Sequence, residues 1–329
     1  MDKILGMGNA LIDVLAKITN DATLEEMELP KGSMQLIDKT KYEHIQQHFK
    51  ELKTHKATGG SAGNTMLGLA AMGTAAGFIG KVGHDEFGQF FRKNLARNKI
   101  EDKLLTNPNL PSGVASTFIS TDGERTFGTY LGAAATLKAE ELTREMFKGY
   151  TYFYIEGYLV QDHDLILRAI ELAKEAGLQI CLDMASYNIV EADRDFFDLL
   201  INKYVDILFA NEEEAKSFTG KSPEEALEVF ARMCSIAIVK IGARGSLIQK
   251  GTKSMHIEAI PTKKVVDTTG AGDYFSAGFL HGLSAGYSLE KCAKIGSILS
   301  GNVIQVVGTH MTKPRWNDIK LTIHAMLAE

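Results

Sequence analysis

The chain has 329 residues, 45% of them apolar and 23% charged, with a formal net charge of -5. That length suits one large α/β domain or two smaller ones, the composition is that of a globular protein with a sizeable core, and the acidic balance argues against general nucleic-acid binding. Cys181, Cys234 and Cys292 are widely spaced, and no apolar run approaches the roughly 20 residues of a membrane span, so reduced thiols, no membrane partner and a cytoplasmic setting are expected.

After the charged pair Asp2-Lys3 the N-terminus is apolar, but Asn9 and Asp13 soon interrupt it. A first buried strand over 4–8 is expected there, rather than a signal peptide. Residues 18–39 show little periodicity and carry turn signals at Pro30 and Gly32. A helical pattern over 40–52 follows. Gly59-Gly60-Ser61-Ala62-Gly63-Asn64 then leads into a small-residue helix over 65–72, suited to close packing. A strand at 75–80 and a helix at 86–97 come next.

Two β-rich runs, 114–120 and 126–130, flank Thr121-Asp122-Gly123-Glu124-Arg125, which is a hairpin signal. Strands at 152–155, 178–182, 205–209 and 236–241 then alternate with helices at 165–176 and 192–201 and a helix pair within 212–233. A hairpin-like segment over 245–260 is followed by apolar helices at 272–285 and 289–306 and an amphipathic one at 317–327. Repeated βα units predict a single α/β domain over 1–329, with a mainly parallel central sheet flanked by helices. The pieces at about 13–37 and 114–130 break that rhythm. They are expected to form a small β lid over the carboxyl edge of the sheet, where ligands of such folds bind.

The most informative stretch is Val265-Val266-Asp267-Thr268-Thr269-Gly270-Ala271-Gly272-Asp273-Tyr274-Phe275. A β-branched pair leads through small polar residues and a glycine turn into an apolar helix. Such a turn presents free backbone N–H groups as an anion site, with the Asp273 carboxylate at its lip. A plain strand-to-helix turn with a favourable first-turn charge has the same outline. It has no need, however, for the three consecutive oxygen-bearing side chains of Asp267-Thr268-Thr269. A phosphate cradle beside a base is what phosphoryl transfer to a hydroxyl requires.

Other formal matches compete. Gly59 to Gly63 fits the serine-hydrolase elbow, but the preceding Lys50-Glu51-Leu52-Lys53-Thr54-His55-Lys56 is too polar for the buried strand that an elbow needs. Gly6-Met7-Gly8-Asn9-Ala10-Leu11 lacks the third glycine of a dinucleotide fingerprint. His44 and His48 are one helical turn apart with no third ligand in view, which suits a solvated helix face. The Met and Phe residues read as core filling.

Asp267-Thr268-Thr269-Gly270-Ala271-Gly272-Asp273 resembles the C-terminal signature of the ribokinase-type (PfkB) family of carbohydrate and nucleoside kinases. Gly59 to Asn64 resembles that family's N-terminal glycine signature, Asn211-Glu212-Glu213-Glu214 its Asn-x-x-Glu motif, and Ile238 to Gly245 its nucleotide strand and loop. The matches run in family order across most of the chain. The resemblance implies a ribokinase-like fold and ATP-dependent phosphorylation of a hydroxymethyl group. Asp273 would then be the base, and the N–H groups of Gly270, Ala271 and Gly272 would hold the charge of the transferring group.

It further implies that Asn211 and Glu214 organise Mg²⁺ largely through water, while Glu212 and Glu213 merely suit the helix dipole. Lys240, Gly242, Gly245 and Thr268 would line the nucleotide, although Lys240 stands where the family often has a small hydroxyl residue. Asp13 would grip two vicinal hydroxyls of a sugar, with Asn9, Gly59, Gly60 and Asn64 completing that site. Asp267 and Thr269 would support a monovalent cation such as K⁺. Arg125, at the expected hairpin tip, either closes over the phosphates or is a solvated turn residue.

Gly8 to Asp13 and Arg125 to Gly132 are similar to bacterial adenosine kinase-like members. Adenosine-like nucleosides therefore rank first as substrate, and free sugars such as ribose or fructose second. Phe118, Phe127 or Tyr130 would stack a base or else fill the lid core. A non-catalytic binding protein on the same fold and a hydrolase using Ser61 are the remaining readings. The exposed lid face would also suit a homodimer.

Overall fold

The computed structural model describes residues 2–328. In chain order the strands are β1 (Ile4–Met7), β2 (Leu11–Lys17), β3 (Met34–Leu36), β4 (Thr54–Gly59), β5 (Ala76–Gly83), β6 (Glu101–Asn107), β7 (Gly113–Ile119) and β8 (Arg125–Tyr130). They continue with β9 (Tyr152–Glu156), β10 (Gln179–Asp183), β11 (Ile207–Asn211), β12 (Ile236–Lys240), β13 (Ser246–Lys250) and β14 (Lys253–Ile257). A nine-stranded sheet runs β14-β13-β12-β11-β10-β9-β1-β5-β6, parallel except for the β12–β13–β14 meander. A five-stranded sheet runs β3-β8-β7-β2-β4.

The large sheet is apolar on both faces because helices cover both. Phe153, Leu208 and Val239 pack with the helices His163–Glu175, Arg194–Lys203 and Pro223–Met233. Tyr154, Phe209 and Ile238, alternating with them, pack on the opposite face with Ser61–Met72, Ala271–Ser284 and Leu289–Val303. Small residues bring these last three helices close. A Cβ on Gly68 would lie 2.7 Å from the Ala277 methyl, and one on Gly278 2.7 Å from Gly296 Cα. That spacing sets the Ser61 helix against the start of the Ala271 helix. Among the described residues no helix is long and apolar enough to cross a membrane.

The five-stranded sheet contains the expected lid pieces and one strand more. β4 occupies part of the polar stretch before Gly59. It is an edge strand paired only with β2, and its His55 and Lys56 face water, so it lacks an apolar signature. β6, also an edge strand, escapes for the same reason. The expected 192–201 helix is two helices, Tyr187–Ala192 and Arg194–Lys203. Val265 and Val266 form no strand and are exposed.

In-register pairing divides the small sheet into two faces. Asp13, Ala115 and Thr129 share a row, as do Leu15, Thr117, Phe127 and Met34, and then Lys17, Ile119 and Arg125. Phe118 and Tyr130 lie on the other face, beneath the helix Lys39–Phe49. There Tyr130 stacks on Tyr42 and Phe118 meets Phe49.

Candidate active site

Strands β1, β9, β10, β11 and β12 are parallel neighbours, so their carboxyl ends open at one edge of the large sheet. There they leave Asn9, Glu156, Asp183, Asn211 and Lys240. The helix Ala271–Ser284 starts at the same edge, with Gly270 as its N-cap at φ +76°. A Cβ on Gly270 would also lie 2.7 Å from Thr309 Cγ2, so both backbone and space demand glycine.

Asp273 stands in the first turn of that helix. Its Oδ1 accepts from Ser61 Oγ at 2.7 Å and its Oδ2 from Asn64 Nδ2 at 2.9 Å. Burial pushes its carboxyl up to about 6, opposed by those two donors and by the Lys240 ammonium, while Asp183 adds to the rise. A carboxylate so placed is ionised at neutral pH yet basic enough to receive a proton.

Lys240 reaches across from β12 to Asp183, Nζ to Oδ2 2.9 Å; Asp183 is buried and Lys240 partly so. Burial works against the ammonium, but Asp183, Glu214 and Asp273 outweigh it and hold its pKa above the usual range. A Cβ added at Gly272 would lie 3.1 Å from Lys240 Nζ. The cation therefore sits beside the helix start, where the Ala271 N–H, expected in the anion hole, already donates to Thr268 O at 3.1 Å. Ser276 also bonds Asp183, at 3.3 Å.

A cleft of about 750 Å³ opens next to Lys240 and Gly272. It brings together Lys240, Gly242, Gly245 and Thr268, the four residues expected to line the nucleotide, and Asn211, with Phe275 and Ile304 among its apolar walls. Its size and mixed lining fit a nucleotide. Asn211 lies on the wall, but its side chain caps the helix Glu212–Thr219, and Glu214 returns both oxygens to Asn211 at 2.6 and 2.7 Å. Burial pushes Glu214 up to about 7 against the pull of Lys240. Both Glu214 oxygens are thus taken by Asn211, and the pair would help hold magnesium only through water. Among the described residues no group of three or more His, Cys, Asp or Glu is arranged to hold a metal, so His44 and His48 gain no partner.

Asp267 holds three segments of the chain together. Its Oδ1 accepts from Thr269 N–H, its Oδ2 from Gly308 N–H, and Arg125 Nη1 stands 2.6 Å from Oδ2. The carboxylate is thus engaged by three donors, which tie the turn to Gly308 and to Arg125. Arg125 is accordingly not a solvated turn residue. It opens β8 and points inward, with Nη2 buried and without a partner.

Asp13 lies on the same face of the small sheet as Arg125, against Gly59, where a Cβ would be only 2.4 Å from its Oδ1. Burial pushes Asp13 up to about 7, opposed by Arg125 and reinforced by Asp273 and Asp267. Asn9 does not face the opening. It is buried and gives its backbone N–H and Nδ2 to Glu156 at 2.8 and 2.9 Å, while the other Glu156 oxygen takes Ala62 N–H at 2.8 Å. Burial raises Glu156 to about 7 against those donors. Glu156 therefore ties the exit of β1 to the start of the Ser61 helix, a fixing role that Asn9 shares. Gly60 occupies that junction at φ +84°, with Asn9 O only 2.2 Å from where a Cβ would lie.

Sequence reasoning missed Glu156 and Asp183. The available signal was an acid ending an apolar strand in a parallel α/β sheet, where side chains meet ligands. The elbow argument also needs revision, because a strand does precede Gly59. Ser61 nevertheless bonds a carboxylate rather than an imidazole, so it lacks a hydrolase base.

Residues 32–316 match the pfkB family of carbohydrate kinases. The chain belongs to this family. Among solved structures it is similar to a probable sugar kinase from Rhizobium etli, at 33% identity and a TM-score of 0.87, covering 98% of each chain. It is likewise similar to adenosine kinase from Sinorhizobium meliloti, at 32% identity and a TM-score of 0.86, covering 98% of this chain and 99% of that one. A protein of Archaeoglobus fulgidus described as an uncharacterized sugar kinase is 28% identical over 251 residues, 76% of this chain and 99% of its own. The fold is thus ribokinase-like, and the chain is a sugar or nucleoside kinase, a phosphotransferase with an alcohol as acceptor. Membership in this kinase family implies ATP as a ligand.

Proposed function

We propose that this kinase transfers the γ-phosphoryl group of ATP to the hydroxymethyl group of a ribosyl nucleoside, with adenosine its first substrate. The observation that carries the reading is Asp273, held by Ser61 and Asn64 at the start of the Ala271 helix, between the nucleotide cleft and the Asp13 face of the small sheet. ATP lies in the cleft with its phosphates toward Gly272 and Lys240. The acceptor hydroxyl gives its proton to Asp273 as it attacks, and the N–H groups at the helix start with the Lys240 ammonium carry the spreading negative charge. Asn211 and Glu214 would help hold Mg²⁺ through its waters, and the ion would neutralise charge on the phosphates.

The nucleoside preference rests on the face around Asp13. Leu15, Phe127 and Met34 stand in one row beside it, with Thr117 between Leu15 and Phe127, a mostly apolar surface suited to the flat face of a base. The Sinorhizobium neighbour, named adenosine kinase, supports the same choice. A free-sugar acceptor is the second reading, supported by the Rhizobium neighbour named probable sugar kinase. ADP release measured over adenosine, inosine, cytidine, ribose and fructose separates the two. Adenosine should turn over fastest, and Asp273→Asn should lower kcat on the order of 10²–10⁴. Turnover of free sugars alone overturns the nucleoside choice. Full activity in Asp273→Asn overturns the role of the base.

A further inference from the structure

Ser61 shares the grip on Asp273 with Asn64, but unlike Asn64 it has no assigned part in the substrate site. It is the first residue of the helix Ser61–Met72, and Gly60 before it fixes where that helix begins. Its hydroxyl donates to Asp273 Oδ1 at 2.7 Å. Asn64 donates to Oδ2, and Thr65, one turn after Ser61, donates to the Asp273 carbonyl at 3.3 Å. Ser61, Asn64 and Thr65 stand on one helical face, so a single helix grips Asp273 at three atoms. A carboxylate held by one donor on each oxygen cannot rotate freely, and it keeps lone pairs for an incoming hydroxyl.

We propose that Ser61 is a positioning residue for phosphoryl transfer, aiming and polarising the Asp273 carboxylate toward the acceptor hydroxyl. This rests on Asp273 being the base. A second consequence follows from the direction of the bond. An O–H that donates to a carboxylate stabilises the ionised form, whereas burial favours the protonated one. Asn64 gives the same help from the same helix. Lys240 on β12 also favours the charge, and Asp183 on β10 opposes it. Asp13 on β2, Glu156 on β9 with nearby Tyr158, and Tyr154 and Tyr274 are the other titratable groups coupled to Asp273. None of these replaces the bond to Oδ1.

The test compares Ser61→Ala, Ser61→Thr and Asp273→Asn, with kcat and KM measured from pH 5 to 9. Ser61→Ala should lower kcat by about 10- to 100-fold, the worth of a hydrogen bond to a charged group. The KM for ATP should hold, and the acid limb of kcat/KM should move to higher pH. Ser61→Thr, which retains the hydroxyl, should restore the rate and the position of the limb. An unmoved acid limb in Ser61→Ala, whatever its rate, overturns the proposal, because mere loss of packing lowers rate without moving that limb. So does a Ser61→Thr protein that melts like the parent and behaves like Ser61→Ala. Asp273→Asn separates the two levels: if it is silent while the Ser61→Ala limb stays put, only the role of Ser61 falls. If Asp273→Asn is active, the base assignment falls too.

Discussion

The guanidinium of Arg125, on the small sheet, stands 2.6 Å from the carboxylate of Asp267, at the entry to the anion turn, with side-chain exposures of 12% and 4%. Desolvating two charges is costly, and removing one of them strands the other. Arg125→Ala should therefore destabilise the protein by about 3–5 kcal/mol. Asp267→Ala, which also frees the Thr269 and Gly308 N–H groups, should cost at least as much. The double variant should lose less than the two single losses together, since the pair acts as a unit. Urea unfolding of the four proteins measures this, and strictly additive losses contradict it.

Gly272→Ala isolates the Lys240 cation. The helix gains a residue of better propensity, by up to about 1 kcal/mol, while the new methyl meets Lys240 Nζ at 3.1 Å and pushes it from the helix start. Thermal stability should be kept or slightly raised while kcat falls at least about tenfold, the scale of disturbing one charge-stabilising group. A variant both stable and fully active would remove Lys240 from the transfer step.

The two faces of the small sheet make Phe127 and Phe118 a matched pair. Phe127 shares the row of Leu15 and Thr117 near Asp13, and Phe118 is wholly buried against Phe49. Phe127→Ala should raise the KM for adenosine about tenfold, the scale of one base–aromatic stack, and leave the KM for ribose unchanged. Phe118→Ala should instead cost about 3–5 kcal/mol of stability. If Phe118→Ala alone alters the KM, the orientation of the sheet toward the substrate is reversed.

Burial raises Asp13 and Glu156 to about 7 and Asp273 to about 6. Unfolded carboxyls ionise near pH 4. Between about pH 4 and 7 the folded state therefore binds more protons than the unfolded chain, and stability falls as pH rises through that window. The unliganded protein should melt at a higher temperature at pH 5.5 than at pH 7.5. Activity should run the opposite way, failing on the acid side as Asp273 takes up its proton. A melting temperature that climbs with pH across this range would refute the linkage.

The sheet and its flanking helices were legible because each buried strand is a short apolar run and each helix shows its own period. β4 and β6 were not, since edge strands carrying His55, Lys56 or Glu101 read like loops. The phosphate turn was legible because glycine and Asp273 are adjacent in sequence. Glu156 and Asp183 were silent for the opposite reason. Each is a lone acid at the end of its strand, and its meaning appears only when parallel pairing carries Asn9, Ala62 and Lys240 to it. Asn9 shows the converse, since a polar residue in a suitable loop turned inward to satisfy Glu156. Arg125 read as a turn because the hairpin ends one residue before it.

The order of the large sheet also divides the chain into two contiguous blocks. Residues up to about 150 supply the small sheet and the β1-β5-β6 side, and those after it supply β9 to β14 and the nucleotide cleft. The two blocks meet along the β1–β9 pairing, in register from Ile4↔Tyr152 to Met7↔Ile155. On the proposed assignment, the acceptor face and the nucleotide cleft fall in separate contiguous segments. A recombinant joining the first block of one relative to the second block of another inherits each trait from a different parent, provided the Asn9–Glu156, Ser61–Asp273 and Arg125–Asp267 contacts across the seam are kept.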